Sequence, residues 1–470
     1  MRQREKMPNG RWNVFTTVCL FAIFTAITVA PKPPAFSDTG IAQNSAKRMT
    51  GLPEEPLLTN VIVGDSSCRI EWKESQTAAG YNLYLQMEEG TYKLLNTSMI
   101  IDDFVRISGL ENGQPHRFAL TSVNSDGRES AVSETGLVIP VGYSHKILPV
   151  SGGSKASDYR LFSFPFRTGK NSPKEIFSYF PVYDINEWRL FSREKDGYKE
   201  YSDIPAIEPG RGYWLLTRKN SELFLSGKTV NPYEPFTTQL RPGWNIIGSP
   251  YLFSVEWKEV LQHNSPDEKI ESVAWEFANG GFKKADSLEP FKGYYIFNGN
   301  SKDAELLIPP IPHHSETYSE EGSSISDMVA SASTSGEGGW ALSLSAADGA
   351  YSDNDNIIGV DPTAETREDG SLRSMEPPSW PQHLSLFFTG KGGENQKFSS
   401  DIRKDEGEWL AYVGGGENKK VTISWETMKS GPVPVLIDTI SEKEIRMSGN
   451  GSYTFARKDM SPRKFIIRSK

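Results

Sequence analysis

Cysteine is scarce in this sequence of 470 residues, which contains only Cys19 and Cys68. Cys19 lies in an apolar run at 14–30 that follows four basic residues and precedes prolines, the pattern of a signal segment that is removed during export. Cys68 would then be alone in the mature chain and could not form an internal disulfide. Cys68 stands in an alternating apolar pattern before Trp72, which favours a buried structural thiol over a reactive one. An exported protein without disulfides must rest on its apolar cores, or on a metal.

Basic residues are also few, because 51 Lys and Arg stand against 60 Asp and Glu, for a net charge of −9. A nucleic-acid-binding protein of this size normally has a basic surplus, so we expect no nucleic-acid partner. Removal of residues 1–37 would leave 46 basic and 59 acidic residues, for a net charge of −13. That acidity also argues against binding to anionic lipid.

Familiar catalytic motifs are missing. The sequence has no Gly-x-Ser-x-Gly, no His-Glu-x-x-His and no phosphate-binding glycine loop followed by lysine. Its six histidines are scattered, without cysteine or carboxylate neighbours at the spacing of metal ligands. Acidic residues are plentiful enough for a glycosidase pair, but such a pair needs a deep cleft on a large scaffold. We therefore predict that the protein is not an enzyme and has no catalytic residues.

The first 37 residues have the pattern of a secretory signal peptide. Four basic residues precede an apolar run at 14–30, prolines follow it, and Ala35-Phe36-Ser37 is a small-x-small cleavage site. We predict an exported protein, located outside the cell or in the cell envelope. The alternative is a retained N-terminal membrane anchor, since 17 apolar residues are at the short limit for crossing a bilayer.

The rest of the sequence consists of short alternating apolar segments separated by turn residues, which predicts an all-β chain of tandem β-sandwich modules. Composition shifts mark the boundaries between these modules. The predicted organisation is a signal peptide at 1–37, a linker at 38–52, a first sandwich at 53–140, a duplicated β-rich repeat at 145–308 with copies at about 155–230 and 238–308, a linker at 309–339, and a C-terminal β-sandwich at 340–470.

The first sandwich resembles a fibronectin type III domain. Trp72 stands where that family has its strand-B tryptophan, Tyr81–Tyr84 resembles strand C, and Leu110–Asn124 follows the family's leucine, turn and strand-F core. His116 occupies the position of the family's tyrosine corner, so we expect that corner to be weaker here. The resemblance implies a spacer or a binding scaffold instead of an enzyme.

Residues 145–308 contain an internal repeat of about 80–85 residues. Both copies have a Glu-Pro-x-x-Gly-Tyr step, at 208–213 and 289–294, in which we expect proline to fix φ and glycine to supply a conformation closed to other residues. Our alignment of the copies also pairs Trp188 with Trp275. The repeat resembles one that is common in secreted and cell-surface proteins of environmental bacteria, and that resemblance implies no chemistry.

The C-terminal region reads as a series of strands, among them Val421–Trp425 and Ser452–Phe455. These strands resemble the C-terminal β modules of secreted bacterial proteins. A clear version of the sorting signal of the type IX secretion machinery is missing from the tail, so we do not expect a sorting role.

Aromatic residues are dense in the repeat, and large rigid rings bury well against sugars or protein partners. Most of them alternate with apolar residues and are expected in the core. Trp214 and Tyr295 follow the Gly-Tyr step at matching places in the two copies. If any of these aromatic residues form an exposed binding face, we predict that they are Trp214 and Tyr295, with core packing as the alternative.

The run Asp353-Asn-Asp-Asn with Asp361 nearby is the one candidate for a metal site. Alternating carboxylates and amides in a loop can supply oxygen ligands to Ca²⁺, so Asp353, Asp355 and Asp361 are its candidate ligands. The run lacks the glycine and the closing glutamate of an EF-hand, and a polar turn capped by its own side chains is the alternative. We expect no other cofactor.

Taken together, these features predict an exported bacterial protein of the cell envelope or extracellular space. It would act as a non-catalytic binding or spacer module, with an envelope protein or a polysaccharide as its partner. The alternative is an accessory or divergent component of a carbohydrate-active hydrolase.

Overall fold

The computed structural model describes residues 18–19, 51–88, 90–195, 197–264, 269–278, 280–313, 339–362, 371–378, 383–390 and 396–469. The predicted signal peptide, apart from residues 18–19, and most of both predicted linkers lie outside the described residues. Of the residues that the structure describes, 53 % are in strands and 4 % in helices, which confirms the predicted all-β class of tandem sandwich modules. In the described ranges, the helices are too short or too polar to cross a membrane.

The chain divides into two compact units, Met1–Ser144 and His145–Lys470. The first unit has two sheets, with strand orders β1-β6-β3-β2 and β5-β4-β7-β8. Its strands are β1 (Val18–Cys19), β2 (Leu57–Gly64), β3 (Ser67–Lys73), β4 (Gly80–Glu88), β5 (Thr91–Leu94), β6 (Phe104–Ser108), β7 (Phe118–Val123) and β8 (Ser133–Glu134).

The core of this first unit lies between its two sheets, as the fibronectin type III resemblance implies. Trp72 on β3 meets Tyr81 on β4 edge to face, with ring centroids 5.1 Å apart, and Cys68 is buried beside them. At the corner, His116 stacks on Phe118, but its Nε2 atom is buried with no hydrogen-bond partner in the described part of the chain. A tyrosine hydroxyl would have filled that role in the family, so the structure agrees with a weakened corner.

The second unit begins with the two copies of the repeat. The first copy contains β9 (Tyr143–Val150), β10 (Arg160–Ser163), β11 (Phe166–Arg167), α1 (Pro173–Ile176), β12 (Trp188–Glu194), β13 (Gly197–Glu200), β14 (Gly212–Thr217) and β15 (Ser221–Thr229). The second contains β16 (Phe236–Leu240), β17 (Gly243–Gly248), β18 (Val255–Glu256), α2 (Trp257–Gln262), β19 (Ala274–Ala278), β20 (Gly281–Ala285), β21 (Ser287–Leu288), β22 (Gly293–Asn298) and β23 (Ala304–Ile308).

The two copies have the same four-stranded sheet, ordered β10-β14-β12-β13 in the first and β17-β22-β19-β20 in the second. The strand register corrects one detail of our sequence alignment. Trp275 lies opposite Tyr295, as Phe191 lies opposite Trp214, so Trp275 corresponds to Phe191 and not to Trp188. An offset of three residues places a strand side chain on the opposite face. Trp188 accordingly packs in the core of its own copy, and Trp275 packs between the copies.

The Glu-Pro-x-x-Gly-Tyr step forms the same contact in each copy. The Tyr213 hydroxyl accepts the Glu208 N–H at 2.9 Å, and the Tyr294 hydroxyl accepts the Glu289 N–H at 2.8 Å. The left-handed residue of the step is its third, Gly210 or Phe291, with φ of +78° and +65°. Our expectation that the glycine of the Gly-Tyr pair supplies that conformation is therefore wrong.

The glycine of each Gly-Tyr pair serves instead to let the two copies approach. A Cβ atom on Gly212 would lie 2.5 Å from the Ile247 carbonyl oxygen, and one on Gly293 would lie 3.1 Å from that of Phe162. Phe162 and Ile247 occupy equivalent positions in β10 and β17. The contact is thus reciprocal, like the isologous contact of a two-fold dimer, but built within one chain.

The remainder of the second unit is the C-terminal module, whose strands form one continuous sheet that folds around a core of its own. The sheet order is β32-β31-β34-β29-β27-β28-β25-β24-β30-β33, with β26 beside β28. The strands are β24 (Trp340–Ala347), β25 (Ser352–Val360), β26 (Ser371–Met375), β27 (Leu384–Thr389), β28 (Lys397–Arg403), β29 (Glu408–Gly415), β30 (Lys420–Lys429), β31 (Val435–Asp438), β32 (Lys443–Arg446), β33 (Gly451–Ala456) and β34 (Arg463–Arg468).

Candidate functional site

The two predicted binding aromatics are not on the surface. Trp214 and Tyr295 are both 0 % exposed, in the core that the two repeat copies share. They lie on β14 and β22, whose side chains at these positions face the other copy. The prediction of an exposed binding face at Trp214 and Tyr295 is therefore wrong. The two copies pack against each other through this matching position, and the contact buries both residues.

The predicted calcium loop is a strand with an irregularity. Asp353 lies on β25, and a shift of register against β24 falls between its pairing and that of Asn356. Such a bulge turns both side chains inward. It explains why Asp353 and Asn356 are both buried, although residues three apart on a regular strand point to opposite faces. The Asp353 carboxylate accepts hydrogen bonds from Asn356 Nδ2 and from the Leu386 N–H.

The three proposed calcium ligands are not seen to converge. Asp361 has its backbone N–H bonded to the Arg403 carbonyl at 2.8 Å, beyond the end of β25, and the side chain of Asp355 lies outside what the structure describes. Within the described ranges, no group of three or more His, Cys, Asp or Glu side chains could hold a metal ion. The expectation of a polar loop at this place is wrong, and calcium binding stays a prediction.

The structure exposes a different set of apolar residues, in the segment that joins α1 to β12. We call residues 177–187 the aromatic loop. Tyr179, Val182 and Ile185 are 81 %, 93 % and 61 % exposed. Single exposed apolar side chains are common, but three within seven residues of one loop form a surface that water solvates poorly.

Beneath these exposed side chains, the aromatic loop is held by a cluster of rings. Tyr183 stacks on Tyr201, with centroids 4.4 Å apart and an angle of 10° between the planes. Trp188 makes T-shaped contacts with Phe180, Tyr183 and Tyr201, with ring centroids 4.9–5.0 Å apart. Its Nε1 donates to the Pro181 carbonyl at 3.0 Å, which ties the tip of the loop to β12. Aromatic contacts of this kind stabilise a loop beyond the area that they bury.

A charged pair completes this support. Arg189 on β12 donates to both carboxylate oxygens of Glu200, at 2.7 and 3.0 Å, and the Tyr183 hydroxyl donates to the same carboxylate. The hydrogen bonds from Arg189 have the largest effect on the pKa of Glu200, and they lower it. Partial burial acts in the opposite direction, and the hydrogen bond from Tyr183 lowers the pKa further. The carboxylate is therefore ionised at neutral pH. Its bidentate pair with Arg189 holds it in place, and the carboxylate in turn holds the hydroxyl of Tyr183.

A cavity of about 130 Å³ is lined by residues of the aromatic loop and of the paired strands β12 and β14. Pockets that enclose small-molecule ligands are usually about 300–1,000 Å³. This surface is thus suited to contact with a larger partner and not to enclosure of a small substrate. The cavity is lined by residues that include Ile185, Asn186, Trp188, Arg189, Leu216 and Arg218.

Sequence reasoning missed the aromatic loop because it gave no role to Tyr179, Phe180 and Tyr183. The available signal was the run Tyr179-Phe-Pro-Val-Tyr, in which proline interrupts any strand or helix. An apolar run that cannot continue a regular element is a loop, and a loop usually lies on the surface.

No known protein-family profile matches the sequence. A stretch of 121 residues is 24 % identical to an amylopullulanase of Thermoanaerobacterium thermosulfurigenes, covering 25 % of this chain and 6 % of that protein. The chain thus matches only a small part of the length of this curated relative.

Among solved structures, a fibronectin type III-like protein of Clostridium thermocellum is 16 % identical, with a TM-score of 0.16, over 19 % of this chain and 93 % of that one. The chicken interferon gamma receptor alpha chain is 11 % identical, with a TM-score of 0.16, over 55 % of this chain and 98 % of that one. The strand orders themselves define the class of protein: an all-β chain with a fibronectin type III-like sandwich in its first unit.

Proposed function

We propose that this chain is an exported, non-catalytic binding module of the bacterial cell envelope or extracellular space, and that its partner docks on the aromatic loop. The observation that carries the proposal is the exposure of Tyr179, Val182 and Ile185 above a rigid cluster of rings. Exposed apolar side chains on a prearranged support bind with little loss of conformational entropy, as interface anchors do. The predicted partner is an envelope protein or a polysaccharide.

The test is capture of envelope components by the full chain and by a variant in which Tyr179, Val182 and Ile185 are all replaced by serine. The matched control carries serine at three other exposed apolar positions of the same unit, Phe224, Tyr233 and Ile440. We expect the loop variant to lose capture and the control to keep it. Equal capture by both variants would place the binding surface elsewhere, and no capture by the unmodified chain would favour a spacer.

A second candidate is an accessory module of a carbohydrate-active enzyme, which the similarity to an amylopullulanase favours. Such a module binds polysaccharide without cleaving it. Electrophoresis of the full chain through gels with and without pullulan tests this candidate. Retardation that is lost in the loop variant would support it, and equal migration in both gels would count against it.

A further inference from the structure

An arginine beside the aromatic loop has no acidic partner in the part of the chain that the structure describes. Arg218 directly follows β14, and its exposed side chain lines the cavity of about 130 Å³. Its backbone N–H donates to the Glu187 carbonyl at 2.6 Å, which holds the main chain beside that cavity. The guanidinium presents N–H donors in a planar fork that matches the two oxygens of a carboxylate.

The neighbouring cations are already neutralised. Arg189 donates to both carboxylate oxygens of Glu200, at 2.7 and 3.0 Å. Lys219, the residue after Arg218, has its Nζ atom 3.3 Å from Oε2 of Glu187. Each of these pairs contributes little net charge to the surface, so Arg218 remains as an uncompensated positive charge beside the cavity.

Asp184 of the aromatic loop does not neutralise this charge. Its Oδ1 atom accepts the backbone N–H and the side-chain amide of Asn186, at 2.8 and 3.0 Å, so the carboxylate caps a turn of its own loop. Among the residues that the structure describes, no ion pair joins Asp184 to Arg218. A ligand carboxylate that approaches the guanidinium therefore displaces no acidic group of this chain.

Ile185 connects the exposed apolar side chains of the loop with the charge of Arg218. It is one of the three exposed apolar residues of the loop, and it also lines the cavity together with Leu216 and Arg218. A partner that covers Ile185 therefore has the guanidinium within reach of one of its own side chains. Apolar contacts beside a charged rim are the usual arrangement of an interface between proteins, in which arginine is enriched.

We propose that Arg218 determines the specificity of the aromatic loop, and that the partner contacts it through a polypeptide segment in which Asp or Glu stands within a few residues of apolar side chains. The inference rests on the proposed function, because it takes the aromatic loop as the docking surface. The charge of Arg218 is complementary to the acidic residue of the segment. Val182 and Ile185 are aliphatic, and they suit the apolar side chains of a polypeptide better than the ring of a sugar.

The first experiment selects binders of the full chain from a displayed library of random dodecapeptides. Peptides enriched by the wild type should carry Asp or Glu beside apolar residues. Arg218→Glu reverses the charge and should shift the enrichment to peptides with Lys or Arg, because like charges at an interface repel. Arg446→Glu is the matched control, since Arg446 is an exposed arginine of β32 in the same unit, and it should select the same peptides as the wild type.

The second experiment measures the dissociation constant of the most enriched peptide by fluorescence anisotropy. Replacement of its acidic residue by the amide, or Arg218→Gln in the protein, should each weaken binding by about tenfold or more, the effect of losing a hydrogen bond between charged groups. The two changes together should weaken binding no more than either alone, because both remove the same contact.

The inference fails if the wild type enriches peptides without acidic residues, if Arg218→Glu selects the same peptides as the wild type, or if the two changes add. It also fails if no peptide is enriched and the chain instead binds polygalacturonate, a polysaccharide that carries carboxylates. The loop variant with serine at Tyr179, Val182 and Ile185 separates the two proposals. Unchanged binding of the selected peptide by that variant contradicts the proposed function itself, whereas loss in that variant with full binding by Arg218→Gln contradicts the role of Arg218 alone.

Discussion

Trp214 donates its indole N–H to the Tyr295 hydroxyl, 3.1 Å away, across the boundary between the two repeat copies. Each of these residues directly follows the Gly-Tyr pair of its copy, so a position of the repeat meets its own counterpart. The Tyr198 hydroxyl also bonds to that of Tyr295. A duplicated sequence has thus closed on itself to form one core, with different side chains at the central position in the two halves.

Replacement of Tyr295 by phenylalanine should destabilise the second unit. The indole N–H of Trp214 would lose its acceptor within a fully buried site, a loss of about 1–3 kcal/mol. Urea unfolding followed by tryptophan fluorescence measures the change. Tyr179→Phe is the control, because the ring of Tyr179 is mostly exposed, and it should leave the free energy of unfolding within about 0.5 kcal/mol of the wild type. Equal effects from the two changes would contradict the role assigned to Tyr295.

Replacement of Gly212 by alanine should destabilise the contact between the two repeat copies. The new methyl group would meet the Ile247 carbonyl oxygen at 2.5 Å, a distance that the backbone can relieve only by moving. We expect a loss of about 1–3 kcal/mol, in the range of overpacked sites, measured by thermal unfolding. Gly169→Ala is the matched control, since its Cβ would have nothing within 4 Å. A Gly212→Ala variant as stable as this control would show that the close approach is unimportant.

The stability of the C-terminal module should fall in acid through Asp438. Burial would raise the pKa of this carboxyl group, but hydrogen bonds from Arg463, Ser441 and Tyr453 outweigh it and lower the pKa to about 2. A lowered pKa in the folded state stabilises above the unfolded value of about 3.9, and that contribution is lost as pH falls towards 2.

Asp438→Asn tests this expectation through the midpoint of urea unfolding at pH 2, 3, 4 and 6. The variant should be less stable than the wild type at pH 6, and the difference should shrink towards pH 2. Asp459→Asn is the control, because this carboxylate is not buried. A difference that stays constant from pH 6 to pH 2 would show that Asp438 does not carry the acid sensitivity.

Cys68 should be inert in the folded protein. Its burial raises the pKa of the thiol to about 12, so almost no thiolate is present at neutral pH. Labelling by a thiol reagent, in a chain with Cys19 replaced by serine, should be slow in buffer and at least about 100-fold faster in urea. Rapid labelling without urea would contradict the structural role that the sequence predicts for this thiol.

The sequence by itself determined the local elements of this protein, since they depend on periodicity and turn chemistry. Alternation around Trp72 and Tyr81 predicts the strands of the first sandwich, and the repeated Glu-Pro-x-x-Gly-Tyr step predicts the duplicated sheet. The same pattern does not reveal which face of a sheet meets which neighbour, because an alternating strand looks the same whether it covers its own core or another module.

Only the tertiary structure decided the places of Trp214, Tyr295 and Asp353. The first two are buried because the second copy covers the first, a contact between residues 81 positions apart in the sequence. Asp353 is buried because a bulge in β25 turns it inward against β27. Burial and the pKa of a carboxyl group depend on neighbours that are distant in the chain, and no local pattern of residues encodes those distances.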